Sequence, residues 1–339
     1  MKAWQIVSGT QIDGLTQAHL PGAPLGPRDV RVELKAATLN FRDLMVVRGH
    51  YGLAPKEPLV PGSDGAGVVT EIGSDVTRFR PGDRVASSFF PAWSEGKPSR
   101  AKFAGALGGG GTKGTLAEEL VLSEDAWIAS PKGLSFVQAA ALTCAGTTAW
   151  NALFVSGNVK AGDTVVLLGT GGVSIWALQL AKAAGARVIL TSSSDEKLER
   201  ARKLGADETI NYRATPAWGA RVLELTDGEG ADQVVEVGGE KTLEQSIACV
   251  RVGGTITIIG AVSGPGGAIP PRSLIVSSAR VIGVFVGSRQ MHADLARAVA
   301  INGIQPVVDR SFGFDETPAA YRHFESGQHF GKVGISFEK

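Results

Sequence analysis

The stretch from Val165 to Ala206, VVLLGTGGVSIWALQLAKAAGARVILTSSSDEKLERARKLGA, constrains the fold more than any other part of the chain. The apolar run TVVLL meets the glycine turn GTGGVS, and an apolar helical pattern follows at once. A buried strand turning sharply into a helix leaves the first helical N–H groups free. It also aims the positive end of the helix dipole at the turn. Gly169 permits the tight turn, and Gly171 lets backbone come close to a pyrophosphate. Gly172 and Val173 then open the helix. Ser174 stands at the usual third glycine, still small enough for close helix–strand packing. The pattern predicts a dinucleotide cradle built from Gly169, Gly171, Gly172 and Val173.

Strand–helix alternation continues beyond this unit. A helix over 173–184 is followed by the strand RVIL and the helix DEKLERARKL. The later strands are ETINY, DQVVEV, GTITIIG and RVIGVFVG, the last preceded by the loop SGPGGAIPPR. Apolar strands alternating with helices indicate a parallel sheet covered on both faces. Six strands predict a doubly wound Rossmann fold, so the fold class is α/β. Residues 1–125 read differently. AWQIV, DVRVELKAATLN, GAGVVTEIG, DRVASSF and TLAEELVLS are short runs punctuated by Gly, Pro and Asp, which predict a small barrel or rolled sheet. The expected division is a β-rich domain over 1–125, completed by about 290–339, and a dinucleotide-binding domain over 126–289.

A length of 339 residues fits about two domains. The formal net charge of +1 gives no electrostatic footprint for nucleic acid or an acidic membrane. Two cysteines, Cys144 and Cys249, suit a reducing compartment better than a disulfide framework. The N-terminal MKAWQIVSGT lacks the apolar stretch of a signal peptide, and no apolar run approaches the ~18 residues of a spanning helix. The expectation is a cytoplasmic protein with a small-molecule substrate and no nucleic-acid or membrane partner.

The end of the second strand bears on the cofactor. NAD sites commonly place Asp or Glu there to bind the ribose 2′-hydroxyl. This chain has Thr191-Ser192-Ser193-Ser194. A carboxylate would repel a 2′-phosphate, whereas small hydroxyls admit it and can donate to it. Lys197, one turn into the next helix, can supply a cation; a solvated helix lysine is the competing explanation. Asp195 and Glu196 lie in the first helical turn, where acids favour the dipole and Ser194 can cap. The triplet favours NADP(H).

These motifs, with LNFRDLMVVRGHY, PLVPGSDGAGVVTEIGSDVTRFRPGDRV, AAALTCAGTTAWNAL, ARKLGADETINY and the closing GKVGISF, resemble the medium-chain dehydrogenase/reductase superfamily nearly end to end. The resemblance implies a GroES-like catalytic domain, a Rossmann domain, and homodimers or homotetramers assembled through RVIGVFVG. It also bears on metal. A catalytic zinc needs three protein ligands of Cys, His or carboxylate type. At the corresponding positions stand Asn40 and Ser63, the latter followed by Asp64, and only Cys144 remains. In place of a four-cysteine structural lobe is PAWSEGKPSRAKFAGALGGGGTKGT, without a cysteine. The five histidines show no metal spacing. The chain therefore resembles the zinc-independent, quinone oxidoreductase-like branch, with no metal.

By that resemblance, Asn40 is the polar group at the hydride site and Tyr51 lines the same pocket. Thr148 contacts the nicotinamide half of the cofactor, Tyr212 lies near the adenosine phosphate, and Lys332 is a cofactor-side lysine. A packed loop aromatic competes for Tyr51, a capping hydroxyl for Thr148 and a surface lysine for Lys332. Arg42 departs from related segments; it narrows the pocket, favours an anionic substrate, or simply pairs with Asp43. The implied activity is NADPH-dependent hydride transfer to quinones or conjugated carbonyls. A zinc-free alcohol or aldehyde dehydrogenase and a non-catalytic NADPH-binding protein are the alternatives.

Overall fold

The computed structural model describes residues 1–338 except 8, 52–57, 110, 265 and 267. Two residues of the loop SGPGGAIPPR, Pro265 and Gly267, thus lie outside the described residues, as does Gly110 of the glycine run. The chain forms two compact units, Met1–Thr147 with Gly287–Lys339, and Thr148–Val286. The boundary lies beyond residue 125 because residues 126–147 stay with the first unit. Strand 127–129 joins its sheet, and the helix Phe136–Ala140 packs Ala139 and Ala140 on Ala66 and Ala86.

Strands β1 (Lys2–Gln5), β2 (Thr16–His19), β3 (Asp29–Thr38) and β4 (Asp64–Ile72) open the chain. β5 (Arg84–Ser87), β6 (Glu119–Ser123) and β7 (Trp127–Ala129) follow. The second unit holds β8 (Thr164–Leu168), β9 (Arg187–Ser192), β10 (Glu208–Asn211), β11 (Ala231–Glu236), β12 (Val250–Ile258) and β13 (Arg280–Gly283). β14 (Val308–Gly313) and β15 (Lys332–Ser336) return to the first unit.

The first unit's main sheet runs β14-β15-β3-β4-β5-β7, with β6 also on β3. β3 is its spine, and its side chains alternate between two cores. Val30, Val32 and Leu34 pack with Val69, Val85, Leu120 and Trp127 on one side. Ala37 and Leu39 pack with Leu44, Tyr321, Val333 and Ile335 on the other. Burying each such Val or Leu contributes about 1.5–3 kcal/mol. Register brings three strand ends to one corner. β15 runs antiparallel to β3 with Gly334 opposite Thr38, and β4 places Asp64 opposite the same Thr38.

The second unit's six strands are all parallel, in the order β10-β9-β8-β11-β12-β13. The order reverses between β8 and β11, the switch point at which such sheets bind ligands beyond the strands' carboxyl ends. Val165, Val166 and Leu167 of β8 are fully buried, as the continuous apolar run requires. The apolar segment read as one helix, AAALTCAGTTAWNALF, is helical but uneven. Wider π-type turns at Leu142–Gly146 and Asn151–Ser156 flank the α-helical turn Thr147–Trp150. Such wider turns are frequent at functional sites. No helix of the described residues is long and apolar enough to cross a membrane.

Candidate active site

In the first unit, β3 ends at Thr38 and the helix Phe41–Val47 starts after two intervening residues, Leu39 and Asn40. Asn40 occupies the N-cap with extended backbone. Its N–H donates to Asp43 Oδ2 at 2.8 Å, and the Asp43 N–H donates to the Asn40 carbonyl at 2.9 Å. The cap is thus made by Asp43 and the backbone, and the Asn40 side chain takes no part in it.

That side chain meets Lys332 from β15. Lys332 Nζ donates to the Leu39 carbonyl at 2.7 Å, to Asn40 Oδ1, and to Asp64 Oδ2 at 3.1 Å. Asp64 also accepts from Thr38 Oγ1 at 2.8 Å and from Ser63 Oγ at 2.9 Å. Asn40 Nδ2 reaches Ser63 Oγ at 3.4 Å. Lys332 and Asp64 are 1% and 0% exposed, so neither charge is solvated by water. A buried ammonium is tolerated when its hydrogens are all used, and here three acceptors use all three. Lys332 is therefore neither a surface lysine nor a donor with a hydrogen to spare for a cofactor phosphate. The pairing of β15 with β3 turns it inward.

Arg42 lies beside this corner. Its Nη1 pairs with Asp43 Oδ1 at 3.1 Å and donates to the Leu107 carbonyl at 2.8 Å. The guanidinium stands over the Tyr51 ring at 4.4 Å and, farther off, over the Phe89 ring at 5.3 Å, a cation–π arrangement. Arg42 and Asp43 do pair, at a buried helix start. Burial raises the Asp43 carboxyl above its ordinary range, against the pull of Arg42. Burial likewise raises the half-buried Tyr51 phenol, so Tyr51 remains a hydroxyl donor at neutral pH.

Two further groups reach the corner by tertiary folding. Cys144 is a half-buried thiol, held well above the ordinary thiol range by burial and by Asp64. His292, on the helix Arg289–Asn302, is buried and lowered to about 4 by burial, with Asp64 pulling the other way. Its sequence distance from Asp64 left no spacing to read. Among the described residues, no group of three or more His, Cys, Asp or Glu is placed to hold a metal. Asn40 and Ser63 offer a neutral amide and a neutral hydroxyl, and the Asp64 carboxylate is already engaged by the Lys332 ammonium, a donor set that does not fit zinc.

In the second unit, the glycine turn follows β8. Gly169 has φ +73°, the left-handed region that favours glycine. A Cβ at Gly169 or at Gly171 would meet no atom within 4 Å, so the space above the turn is open. Gly171 is the N-cap of the helix Gly172–Ala183, whose first residues are Gly172 and Val173. The Ser174 hydroxyl donates to the Leu168 carbonyl at 2.6 Å, which ties helix to strand where a third glycine usually stands. An open turn backed by free helical N–H groups fits a dinucleotide pyrophosphate.

The serine triplet begins at the last residue of β9, Ser192. Ser192 is buried and its Oγ accepts from the Ser194 N–H at 3.3 Å. Ser194 caps the helix Asp195–Lys203, accepting from the Lys197 N–H. Ser193 is half-buried with no hydrogen bond of its side chain among the described residues. The parallel register sets Asn211 opposite Ser192, and the Tyr212 N–H donates to the Ser192 carbonyl at 3.0 Å. Tyr212 is thus level with Ser193, and its side chain is exposed. Asp195 accepts from Asn211 Nδ2 at 2.8 Å, which engages that acid with the neighbouring strand. Thr148 is buried in the helical turn Thr147–Trp150.

The fold therefore gathers the cradle glycines, Ser192, Ser193, Lys197 and Tyr212 at the carboxyl ends of adjacent strands. It gathers Asn40, Tyr51 and Lys332 at one corner of the other unit. Sequence reasoning missed Glu236, the fully buried last residue of β11. Its Oε1 accepts from the N–H groups of Gly238 and Gly239 at 2.7 and 2.9 Å and from Thr242 Oγ1 at 2.6 Å. Its Oε2 accepts from Ser246 Oγ. The signal was present as an acid closing an apolar strand, with two glycines and two hydroxyls just after it. Val286 was also missed. It is β-branched yet has φ 53°, and its carbonyl accepts from Asn151 Nδ2 at 2.7 Å. Such strain is held only where surrounding structure over-determines it.

Residues 26–132 match the family model described as alcohol dehydrogenase GroES-like domain, and residues 172–301 match that described as zinc-binding dehydrogenase. The chain is 47% identical to a zinc-type alcohol dehydrogenase-like protein of Schizosaccharomyces pombe, over 93% of this chain and 92% of that one. It is 39% identical to a quinone oxidoreductase of Pseudomonas aeruginosa, over 73% of this chain and 69% of that one. A solved structure titled NAD-dependent alcohol dehydrogenase matches it with a TM-score of 0.91 at 36% identity, over 100% of both chains. The chain belongs to the medium-chain dehydrogenase/reductase superfamily and is an oxidoreductase with a fold that binds nicotinamide dinucleotides.

Proposed function

We propose that this enzyme is a zinc-independent, NADPH-dependent reductase of quinones or conjugated carbonyls such as enones and enals. The observation that carries the reading is the corner itself. Its neutral donors are the Asn40 amide and the Tyr51 hydroxyl, and the cations behind them, the Lys332 ammonium and the Arg42 guanidinium, belong to the chain. Bound NADPH would supply a hydride. The chain then has to stabilise negative charge developing on the substrate oxygen. Amide and phenol donors do this more weakly than a metal ion, which suits acceptors that delocalise the charge themselves. An enone spreads it over an enolate, and a quinone over a ring. The proton that completes reduction comes from solvent.

Ser193 and Lys197 support the NADPH preference, because hydroxyls and a cation replace the ribose-binding acid. The same reading makes the protein a cytoplasmic homodimer or homotetramer without a nucleic-acid partner. The two-cysteine composition supports the compartment. Assembly is supported by the edge position of β13, with Ile275 and Val276 exposed nearby. A zinc-free alcohol or aldehyde dehydrogenase is the second reading, and the alcohol dehydrogenase names of several relatives favour its substrate class. A panel assay separates them. NADPH oxidation by quinones and enals, exceeding NADP⁺ reduction by alcohols, supports the proposal. Faster turnover of saturated alcohols or aldehydes overturns it in favour of the second reading. Tight NADPH binding with no turnover of any substrate leaves a binding protein.

A further inference from the structure

We propose that Lys332 is the positioning residue of the reaction: its ammonium locks the Asn40 amide with oxygen inward and N–H outward toward the substrate oxygen. This rests on the reading in which Asn40 acts on that oxygen.

The orientation follows from donor and acceptor chemistry around a closed ring of four residues. Lys332 can only donate, and the Asp64 carboxylate can only accept. Ser63 gives its single hydroxyl hydrogen to Asp64 Oδ1 at 2.9 Å. Its oxygen can then only accept from Asn40, whose Nδ2 lies 3.4 Å away. Asn40 Oδ1 in turn receives Lys332 Nζ, and Lys332 closes the ring on Asp64 Oδ2 at 3.1 Å. A flipped amide would set two N–H groups against an ammonium. It would also ask one Ser63 hydrogen to serve two acceptors.

One Nδ2 hydrogen is used on Ser63. The other has no acceptor among the described residues. The cap geometry leaves it free for this purpose, since Asp43 and the backbone close the helix start without the Asn40 side chain. A cation drawing on the amide oxygen also strengthens the opposite N–H as a donor. Lys332 touches no reacting atom in this scheme; it acts through Asn40. Without it the amide is free to turn and present its oxygen to developing negative charge.

The experiment compares wild type, K332M, K332R, N40A and the double variant N40A/K332M, with an enone or quinone as acceptor. K332M is expected to lower kcat about 10- to 100-fold, with KM and the NADPH dissociation constant within about threefold. K332R, which keeps a donating cation, recovers most of the loss. N40A is also slow, and adding K332M to it costs little more. If K332M does not fold, K332M/D64N removes both charges together and takes its place. In the wild type, the Asn40 side-chain amide protons show nuclear Overhauser contacts to Ser63 and not to the Lys332 ammonium. A full rate in K332M, additive losses in the double variant, or amide protons facing Lys332 each overturn the proposal. Unchanged turnover in N40A fails the catalytic reading of Asn40 itself, a separate result.

Discussion

Lys332 and Asn40 lie 292 residues apart in sequence and share a hydrogen bond because Gly334 pairs with Thr38 across β15 and β3. Two residues outward from that pair, one strand supplies a cation and the other an amide. The same Thr38 stands opposite Asp64, which brings the counter-ion to the same point. Three strand ends thus build a buried, charge-balanced corner from residues that carry no local motif in common.

That corner bears on metal content. Protein purified without added metal is expected to contain well under one zinc per chain by elemental analysis. A chelator is expected to leave activity unchanged. The amide of Asn40 and the hydroxyl of Ser63 are neutral, the Asp64 carboxylate is taken up by Lys332, and a divalent ion entering among them would face the Lys332 ammonium. Stoichiometric zinc lost together with activity would refute both the donor-set argument and the proposed mechanism.

Cofactor choice is tested at Lys197. A charge-assisted contact to a 2′-phosphate is worth about 1.5–3 kcal/mol, so Lys197→Ala should weaken NADPH about 10- to 100-fold. NADH carries no phosphate there, and its dissociation constant should barely move. Fluorescence titration of both cofactors on both proteins decides the matter. Equal weakening of the two, or a wild type that prefers NADH, would reduce the serine triplet to a turn.

His292 should give the protein a specific acid sensitivity. Its ring is buried and its pKa is lowered from 6.5 to about 4, chiefly by desolvation. The unfolded chain therefore binds this proton first as pH falls. The stability His292 permits is complete above pH 6.5 and is lost progressively between about 6.5 and 4. At 1.36 kcal/mol per unit, the loss from pH 6.5 to pH 5 is roughly 2 kcal/mol. Urea unfolding of wild type and His292→Gln at pH 7.5 and pH 5 isolates the effect. The stability gap between them should shift toward the variant by that amount in acid, and a gap independent of pH would contradict a neutral buried ring.

The sequence made the second unit legible because its signals are local. Apolar strands, the glycine turn and the Ser194 cap all act within a few residues, and the structure joins them in a six-stranded parallel sheet. The first unit was legible as a set of short strands, but not as a site. Asn40 and Tyr51 could be named from their segments, whereas the inward turn of Lys332 depends on a pairing 292 residues long. Asp64 read as a neighbour of Ser63 and emerged as the acceptor that orders the corner. The domain boundary was misplaced for a related reason. The apolar segment after residue 125 resembles the start of the dinucleotide unit, but its alanines pack on Ala66 and Ala86 of the first sheet.

Gly171 offers a test that separates the cradle from the fold. Its backbone is extended, with φ −77°, a conformation any residue adopts. A Cβ placed there meets nothing within 4 Å, so Gly171→Ala creates no clash inside the protein. The folding cost is the difference between Gly and Ala as an N-cap, about 1 kcal/mol or less. The added methyl nevertheless stands in the open space that a pyrophosphate must enter to reach the helical N–H groups. Gly171→Ala should therefore keep nearly the full melting temperature of the free protein. It should bind NADPH and NADH more weakly by at least about tenfold each, because both carry the same pyrophosphate. Calorimetry of the free protein and titration with both cofactors read the two effects separately. Unchanged affinity would show that the dinucleotide does not approach the turn at Gly171. A large loss of stability with normal affinity would make the glycine structural.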